Sequence, residues 1–484
     1  MSSVSDVSPV PAPPNPGGHS ELPPLARTVG PRLQRVLTLP GLVLFGLVYL
    51  VPLTVFTTYG LVSLQTGGRL PVAYILTLVA MLFTAQSYAV MGKAFPTAGS
   101  SFSFARNAFG GNVGFLAGWA LLLDYLFLPM INYLVIAIYL HAEFPTVPSW
   151  AFILGCIALV TVLNIVGIAS IARANVAIIG AQALFIVVFV ALCLRYLMGA
   201  PQVDLLAPFV GSSSYAAAGA NPALGWDPLL AGAAVLCLSF LGFDAVSTMA
   251  EEAAHPTRDI PRAVLLVTLG GGLLFIALAY LSHLVLPAPT CLPALDPQCA
   301  FADNAALDVM VPPGGHLLAI FFVAAYSAGA FGSALTAHAS VCRILYTMGR
   351  DGVLPPRVFG RLSARFHTPV PAILVVSALS LLAILIDLGT MASMISFGAL
   401  VAFSVVNLAV IKHFVIDQGQ RSARALFVYG LLPLVGCLLT AWLWTSLQRE
   451  SLVVGLGWLA AGTLYLLIIT RGLRHTPPAM QFED

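Results

Sequence analysis

Twelve stretches of this chain are each long and apolar enough to cross a lipid bilayer. They fall at about 38–64, 71–92, 112–141, 149–168, 174–198, 227–252, 262–286, 315–346, 369–386, 390–414, 425–447 and 450–470. A hydrocarbon core about 30 Å thick requires roughly 20 helical residues at 1.5 Å each. Crossing strands would instead alternate in polarity over about ten residues. Lipid offers no hydrogen bonds, so each span must pair its own backbone groups, as a helix does. The pattern therefore predicts an all-α polytopic membrane protein with twelve transmembrane helices, and a bilayer as its solvent. Charge agrees: 21 basic and 19 acidic side chains make up 8% of 484 residues, where soluble chains carry about 25%. A soluble multi-domain enzyme is excluded. So is a nucleic-acid binder, for want of a basic surface.

Where the basic residues fall sets the expected orientation. Of the 21, all but Arg69, Arg195 and Arg449 fall on one side of the predicted spans. That side holds both termini, so both are expected in the cytoplasm. The first 37 residues are rich in Pro, Gly and Ser and are read as a disordered tail. Nothing in them resembles a cleaved signal peptide. Cys291 and Cys299 lie in an expected external loop, as a disulfide or as two free thiols. The other five cysteines lie in spans, where a small apolar side chain is the default reading.

Two spans carry interruptions near the expected midplane. Span 1 contains Tyr49-Leu50-Val51-Pro52-Leu53-Thr54; Pro52 lacks a donor and clashes with the preceding turn. Span 6 contains Phe240-Leu241-Gly242-Phe243-Asp244. The two run in opposite directions and are five apart in order. Interrupted spans at matching positions point to an inverted-repeat transporter, whose half-helix ends face a central substrate. Two ordinary kinks are the plainer alternative.

Polar residues gather at those interruptions. Asp244, Ser247, Thr248 and Glu251 follow the second at helical spacing. An Asp at a helix centre costs about 2.5–3.5 kcal/mol to insert, which makes Asp244 a functional candidate. It is read as a substrate-amine or proton site, or as a cap on the following half-helix. Glu251 and Glu252, near Arg258 and Arg262, form an interfacial ion cluster or a gate. Span 3 carries Asp124, a second mid-membrane carboxylate. Tyr125, Asn132 and Tyr139 share one of its faces. Tyr125 suits stacking on an ammonium, or simply hydrogen bonding inside the bundle. Thr54, Thr57 and Thr58 form a patch beside the first interruption. Gly329, Ser333, Thr336 and Ser340 form a stripe on span 8, read as a close-packing seam or as a hydroxyl-lined cation site. His283 and His338 are read as hydrogen-bonded structural histidines. No enzyme motif, cofactor motif or metal-ligand cluster occurs in the sequence.

Several segments together resemble the amino acid–polyamine–organocation superfamily, most strongly its putrescine-importer-like members. They are Gly46 to Phe56, Phe95 to Phe102, Gly118-Trp119 with Leu123 to Phe127, Phe240 to Val246, Glu251-Glu252 with Pro256, Arg258 and Ile260-Pro261, Arg343 to Gly352, and Phe397 to Phe403. The likeness covers about Leu37 to Ile469. It implies a five-plus-five inverted repeat of the LeuT type with broken helices 1 and 6, working by alternating access. The expected layout is a tail (1–37), a first repeat (38–198), an external loop (199–226), a second repeat (227–414), helices 11 and 12 (415–472) and a second tail (473–484).

Carried over by residue, the resemblance implies a substrate site at Val51, Pro52, Thr54 and Thr57 in helix 1, Tyr125 in helix 3, and Phe240, Gly242, Phe243 and Asp244 in helix 6. Asp124, Glu251 and Glu252 are assigned to coupling or gating. The expected function is import of a small organic amine or amino acid across a cell membrane, the bacterial inner membrane, by proton symport, with sodium as the alternative ion. An exchanger and a non-transporting membrane sensor are the other readings. Two departures bear on substrate. Putrescine-type importers often carry Asp where this chain has Thr57, which weakens the case for a diamine. No Lys occurs in span 5, where some relatives use one in place of sodium.

Overall fold

A computed structural model describes residues 37–96, 100–166, 171–212, 214–215, 226–292, 296, 299–350, 352–366 and 368–474, without the side chains of 48, 171–177, 251 and 347. The expected N-terminal tail and most of the C-terminal one lie outside the described residues, as does the Glu251 side chain.

The described chain is helical. Its α-helices are α1 (Leu39–Tyr49), α2 (Thr54–Thr57), α3 (Tyr59–Thr66), α4 (Leu70–Ala94), α5 (Ser100–Phe109), α6 (Gly111–Glu143), α7 (Ser149–Val166), α8 (Ile171–Gly199), α9 (Ala207–Val210), α10 (Asp227–Leu236), α11 (Pro256–Val285), α12 (Phe301–Arg350), α13 (Val370–Ser380), α14 (Leu388–Val410), α15 (Ala423–Ala425), α16 (Leu432–Thr445) and α17 (Arg449–Ile469). Among the described residues the one strand-like feature is an isolated bridge between Leu37 and Ala253. Ten helical segments are long and apolar enough to cross a membrane. The first expected span is instead divided among α1, α2 and α3, and the ninth is a shorter apolar helix, Val370–Ile384.

Local chemistry sets the ends. Gly67 closes α3 in the left-handed conformation (φ 66°), its N–H donating to the Ser63 carbonyl. Asp387 opens α14 by accepting from the Thr390 N–H at 2.9 Å. α12 is bent at Gly315, where φ is 64°, so an arm of residues 301–314 precedes its membrane-length part. That arm packs on α3 at Gly60, where a Cβ would lie 2.1 Å from the Phe301 carbonyl oxygen. α4 lies along α11, and α6 packs against both α12 and α14. A disulfide joins Cys291 to Cys299 in the α11–α12 connection, which decides between the two readings of that pair.

The interrupted spans meet. α1 stops at Tyr49, Val51 has φ 45°, and helix resumes at Thr54. α10 tightens into a 3₁₀ turn (Cys237–Phe240), Leu241 is extended, Gly242 has φ 133°, and a second 3₁₀ stretch runs Ala245–Glu251. A Cβ on Gly242 would lie 2.9 Å from Tyr49 Cδ1 and 3.0 Å from the Leu50 nitrogen. Glycine is thus required twice over there, for its dihedral and for its closeness to α1. The 3₁₀ stretch corrects one expectation. With three residues per turn, Ser247 stays on the Asp244 face, while Thr248 turns onto the next.

Candidate functional site

Two cavities meet at the α1–α2 interruption. The wider, about 360 Å³, has Gly41, Phe45 and Tyr49 of α1 on one wall, Gln182 of α8 on another, and Ser333 and Thr336 of α12 on a third. It opens toward the end of the bundle from which α1 starts. The narrower, about 50 Å³, continues past the interruption between Thr54, Thr57, Asn132, Tyr326 and Ser333. Tyr49, Val51, Leu128 and Ser333 line both. Of these two, the wider falls in the volume range of small-molecule sites, about 300–1,000 Å³.

Beyond the narrow cavity, the far side is filled by rings. Phe56 packs edge-on against Phe185, Phe189 and Phe322, with centroids 4.9–6.0 Å apart. Tyr139 packs on Phe322 and Tyr326 in the same way. These aromatics come from α2, α6, α8 and α12. They bury a large apolar area in a preferred geometry.

The interruption satisfies its own carbonyls. The Thr54 hydroxyl donates to the Val51 carbonyl at 2.6 Å and the Thr57 hydroxyl to the Thr54 carbonyl at 2.9 Å. Such local bonds let a polar backbone turn lie at membrane depth. Asn132 of α6 reaches across to Ser333 of α12, its amide donating at 3.2 Å. All four residues of the span-8 stripe, Gly329, Ser333, Thr336 and Ser340, line the wider cavity, and Gly329 also makes room for Gln182, whose amide nitrogen would be 1.8 Å from a Cβ there.

The two mid-membrane carboxylates lie close enough for their charges to interact, and Tyr49, Tyr88 and Tyr125 stand within the same range. Their surroundings differ. Asp244 Oδ1 accepts from the Gly242 N–H at 3.1 Å, and its carbonyl accepts from the Ser247 hydroxyl at 2.6 Å. Its side chain thus holds the turn before it, where the sequence suggested a cap on the half-helix after it. Asp124 Oδ1 is buried without a hydrogen-bond partner. The Asp124 backbone is pressed by α14, since a Cβ on Gly398 would lie 3.1 Å from its nitrogen. Among the described residues neither carboxylate has an ion-pair partner.

Of the residues expected to form the site, Val51, Thr54 and Thr57 line the narrow cavity. Tyr125 and Asp124 join Asp244 in the acidic cluster. Phe240 is fully buried against Tyr74 and Phe275, and Phe243 against Tyr88 and Phe403. Both hold the second interruption in place and stand off the cavity walls, as does Pro52, which bends the chain. The Glu252 carbonyl accepts from the Leu37 N–H at 2.9 Å. Sequence reasoning passed over Tyr49, Tyr326 and Gln182. Tyr49 was legible in the motif before Pro52; Tyr326 and Gln182 carry no local signal.

The model for the family described as amino acid permease matches residues 42–469. The low-affinity putrescine importer PlaP of Escherichia coli (strain K12) is 37% identical over 456 residues, covering 93% of this chain and 97% of that one. The vacuolar cationic amino acid transporter 4 of Arabidopsis thaliana is 28% identical over 414 residues, 80% of this chain and 64% of its own. The branched-chain amino acid permease BcaP of Bacillus subtilis (strain 168) is 24% identical over 476 residues, 92% and 96% respectively.

Proposed function

This chain belongs to the amino acid permease family, and on that premise we propose that it imports a small organic amine or amino acid by proton symport. It is a multi-pass membrane transporter and not an enzyme. The observation that carries the proposal is the pairing of a ligand-sized cavity at a helix interruption with two buried carboxylates that have no cation partner among the described residues. A buried anion without a partner is costly, so the site favours whatever brings positive charge to it. An ammonium does so, and the relatives named for putrescine and for cationic amino acids fit that chemistry.

Alternating access in this reading uses the five-plus-five repeat, with 38–64 and 369–386 completing twelve spans. The cavity opens at the α1 end, which the basic residues assign to the cytoplasm; both termini then lie there. The ring cluster around Phe56 closes the outer side. Asn132, Ser333, Thr54 and Thr57 offer neutral hydrogen bonds to the far end of a substrate. Proton coupling rests on the two carboxylates as the protonatable groups at depth.

The test is uptake into proteoliposomes holding the purified chain, with an imposed pH gradient. Labelled putrescine, arginine and leucine are offered in turn. At least one accumulates above equilibrium, and a protonophore abolishes the accumulation. Equal filling with and without the gradient refutes symport; no uptake of any amine or amino acid refutes the assignment.

A further inference from the structure

Asp124 and Asp244 differ in what already satisfies them, and the difference assigns their roles. Resting on the amine reading above, we propose that Asp124 is the carboxylate that binds the substrate ammonium, and that Asp244 is a positioning residue that shapes the second interruption.

Asp244 is occupied by its own backbone. Its Oδ1 takes the Gly242 N–H at 3.1 Å, in the one place where the chain must run at φ 133°. That bond fixes the turn which lets Gly242 lie against Tyr49 and Leu50. Asp124 has no such task. It is 6% exposed, its Oδ1 has no partner, and no cation faces it among the described residues. Around it stand other polar groups. The Tyr88 hydroxyl lies within electrostatic range of both carboxylates and faces the Ser101 hydroxyl, and both are buried. Asp124 on α6, Asp244 at the second interruption and Tyr88 on α4 thus bring acceptors and a ring face within electrostatic range of one another. An alkylammonium donates up to three hydrogen bonds and is attracted to tyrosine faces.

Asp124 stands close to the cavities without lining them. Asp124 is one helical turn before Leu128, which lines both cavities, so about 6 Å of rise separates them. Tyr49 lines both cavities and is within electrostatic range of both carboxylates. A primary amine can therefore reach Asp124 past Tyr49 while the rest of the molecule stays among Thr57, Asn132 and Ser333. The site selects an unhindered ammonium on a narrow chain over a bulky or quaternary one.

The experiment is equilibrium binding of putrescine, n-butylamine and leucine to the purified full chain, with melting temperature measured in parallel. Asp124→Asn is expected to weaken the tightest-binding probe at least tenfold, with the ligand-free melting temperature kept or raised. Asp124→Glu recovers part of the affinity. Asp244→Asn keeps an oxygen that accepts from Gly242, so its affinity stays within about threefold of the parent. Asp244→Ala loses both that bond and the affinity. If Asp124→Asn fails to fold, Asp124→Ser is read in its place. Parent-like affinity in the Asp124 variants overturns the proposal, and if gradient-driven uptake is lost at the same time Asp124 carries the proton instead. A collapse of affinity in Asp244→Asn equal to that in Asp124→Asn also overturns it. Binding of leucine alone, unchanged by the Asp124 variants, leaves a transporter but removes the ammonium site. Binding of no probe by the parent chain removes the amine reading with it.

Discussion

Thr57 shows how one residue can tune substrate choice. Its hydroxyl is held by the Thr54 carbonyl, and it lines the narrow cavity. A carboxylate there adds a negative charge beside neutral Asn132 and Ser333. Thr57→Asp is therefore expected to raise putrescine uptake at least fivefold relative to n-butylamine, read as competing initial rates in proteoliposomes; an unchanged ratio sinks the argument. Gly242 is a second decisive position. Alanine there must adopt a sparsely populated backbone region, at about 1–3 kcal/mol, and meets Tyr49 and Leu50 at 2.9–3.0 Å. Gly242→Ala should lower the melting temperature and abolish uptake, whereas alanine at Gly457, with open space around it, should do neither. At this scale the sequence was informative where cost marks a residue: a mid-membrane Asp, or a Pro or Gly in a span. It was silent on Tyr326 and Gln182, whose importance comes only from what α8 and α12 bring beside them.

Elements are joined by bonds that no single helix reveals. Trp119 of α6 donates its indole N–H to the Trp458 carbonyl at 2.9 Å, and Trp458 of α17 returns one to the Trp119 carbonyl at 2.7 Å. The rings stack at 4.9 Å, and Gly462 gives Trp119 its space. Trp458→Phe keeps the stack but removes one indole hydrogen bond, a loss of about 0.5–1.5 kcal/mol, because the Trp119 carbonyl keeps its backbone partner within α6. A lower melting temperature with uptake per folded transporter within twofold of the parent is expected; loss of uptake in folded protein shows instead that α17 takes part in transport. At the other end of the chain, Leu37 pairs with the α10–α11 connection: its N–H donates to the Glu252 carbonyl and its carbonyl accepts from the Ala254 N–H, both at 2.9 Å. This ties the start of α1 to the end of the second interrupted span. Leu37→Pro removes the first donor, and faster amide exchange is expected across 39–49 with α14 unchanged; protection equal to the parent would show that the bridge carries no load. Apolar runs made most elements legible, because lipid forces long helices. The 3₁₀ geometry of 245–251 was not legible, because α and 3₁₀ helices both bring i and i+3 together on one face.

On the scale of the whole molecule, the proposed path runs from the cavity to the ring cluster, and in that proposal the distribution of basic residues assigns the cavity end to the cytoplasm. Neither inference depends on the other. The charge pattern comes from loops and is read without coordinates; the cavity comes from the packing of α1, α8 and α12 and is invisible to composition. Together they make a directional prediction. Ser340 of α12 lines the wide cavity toward its open end. A cysteine placed there reacts with a membrane-impermeant maleimide from the cytoplasmic side, because water and reagent enter the cavity without crossing the Phe56 cluster. The native thiols give a low background, since Cys193, Cys237 and Cys342 are buried and Cys156 and Cys437 lie within membrane-length helices. Ser340→Cys in inside-out vesicles should label at least tenfold faster than in right-side-out vesicles. Saturating substrate should slow that labelling by driving the path through its closed states. Faster labelling from the outside would reverse the orientation, and equal labelling from both sides would mean that the rings around Phe56 do not close the path.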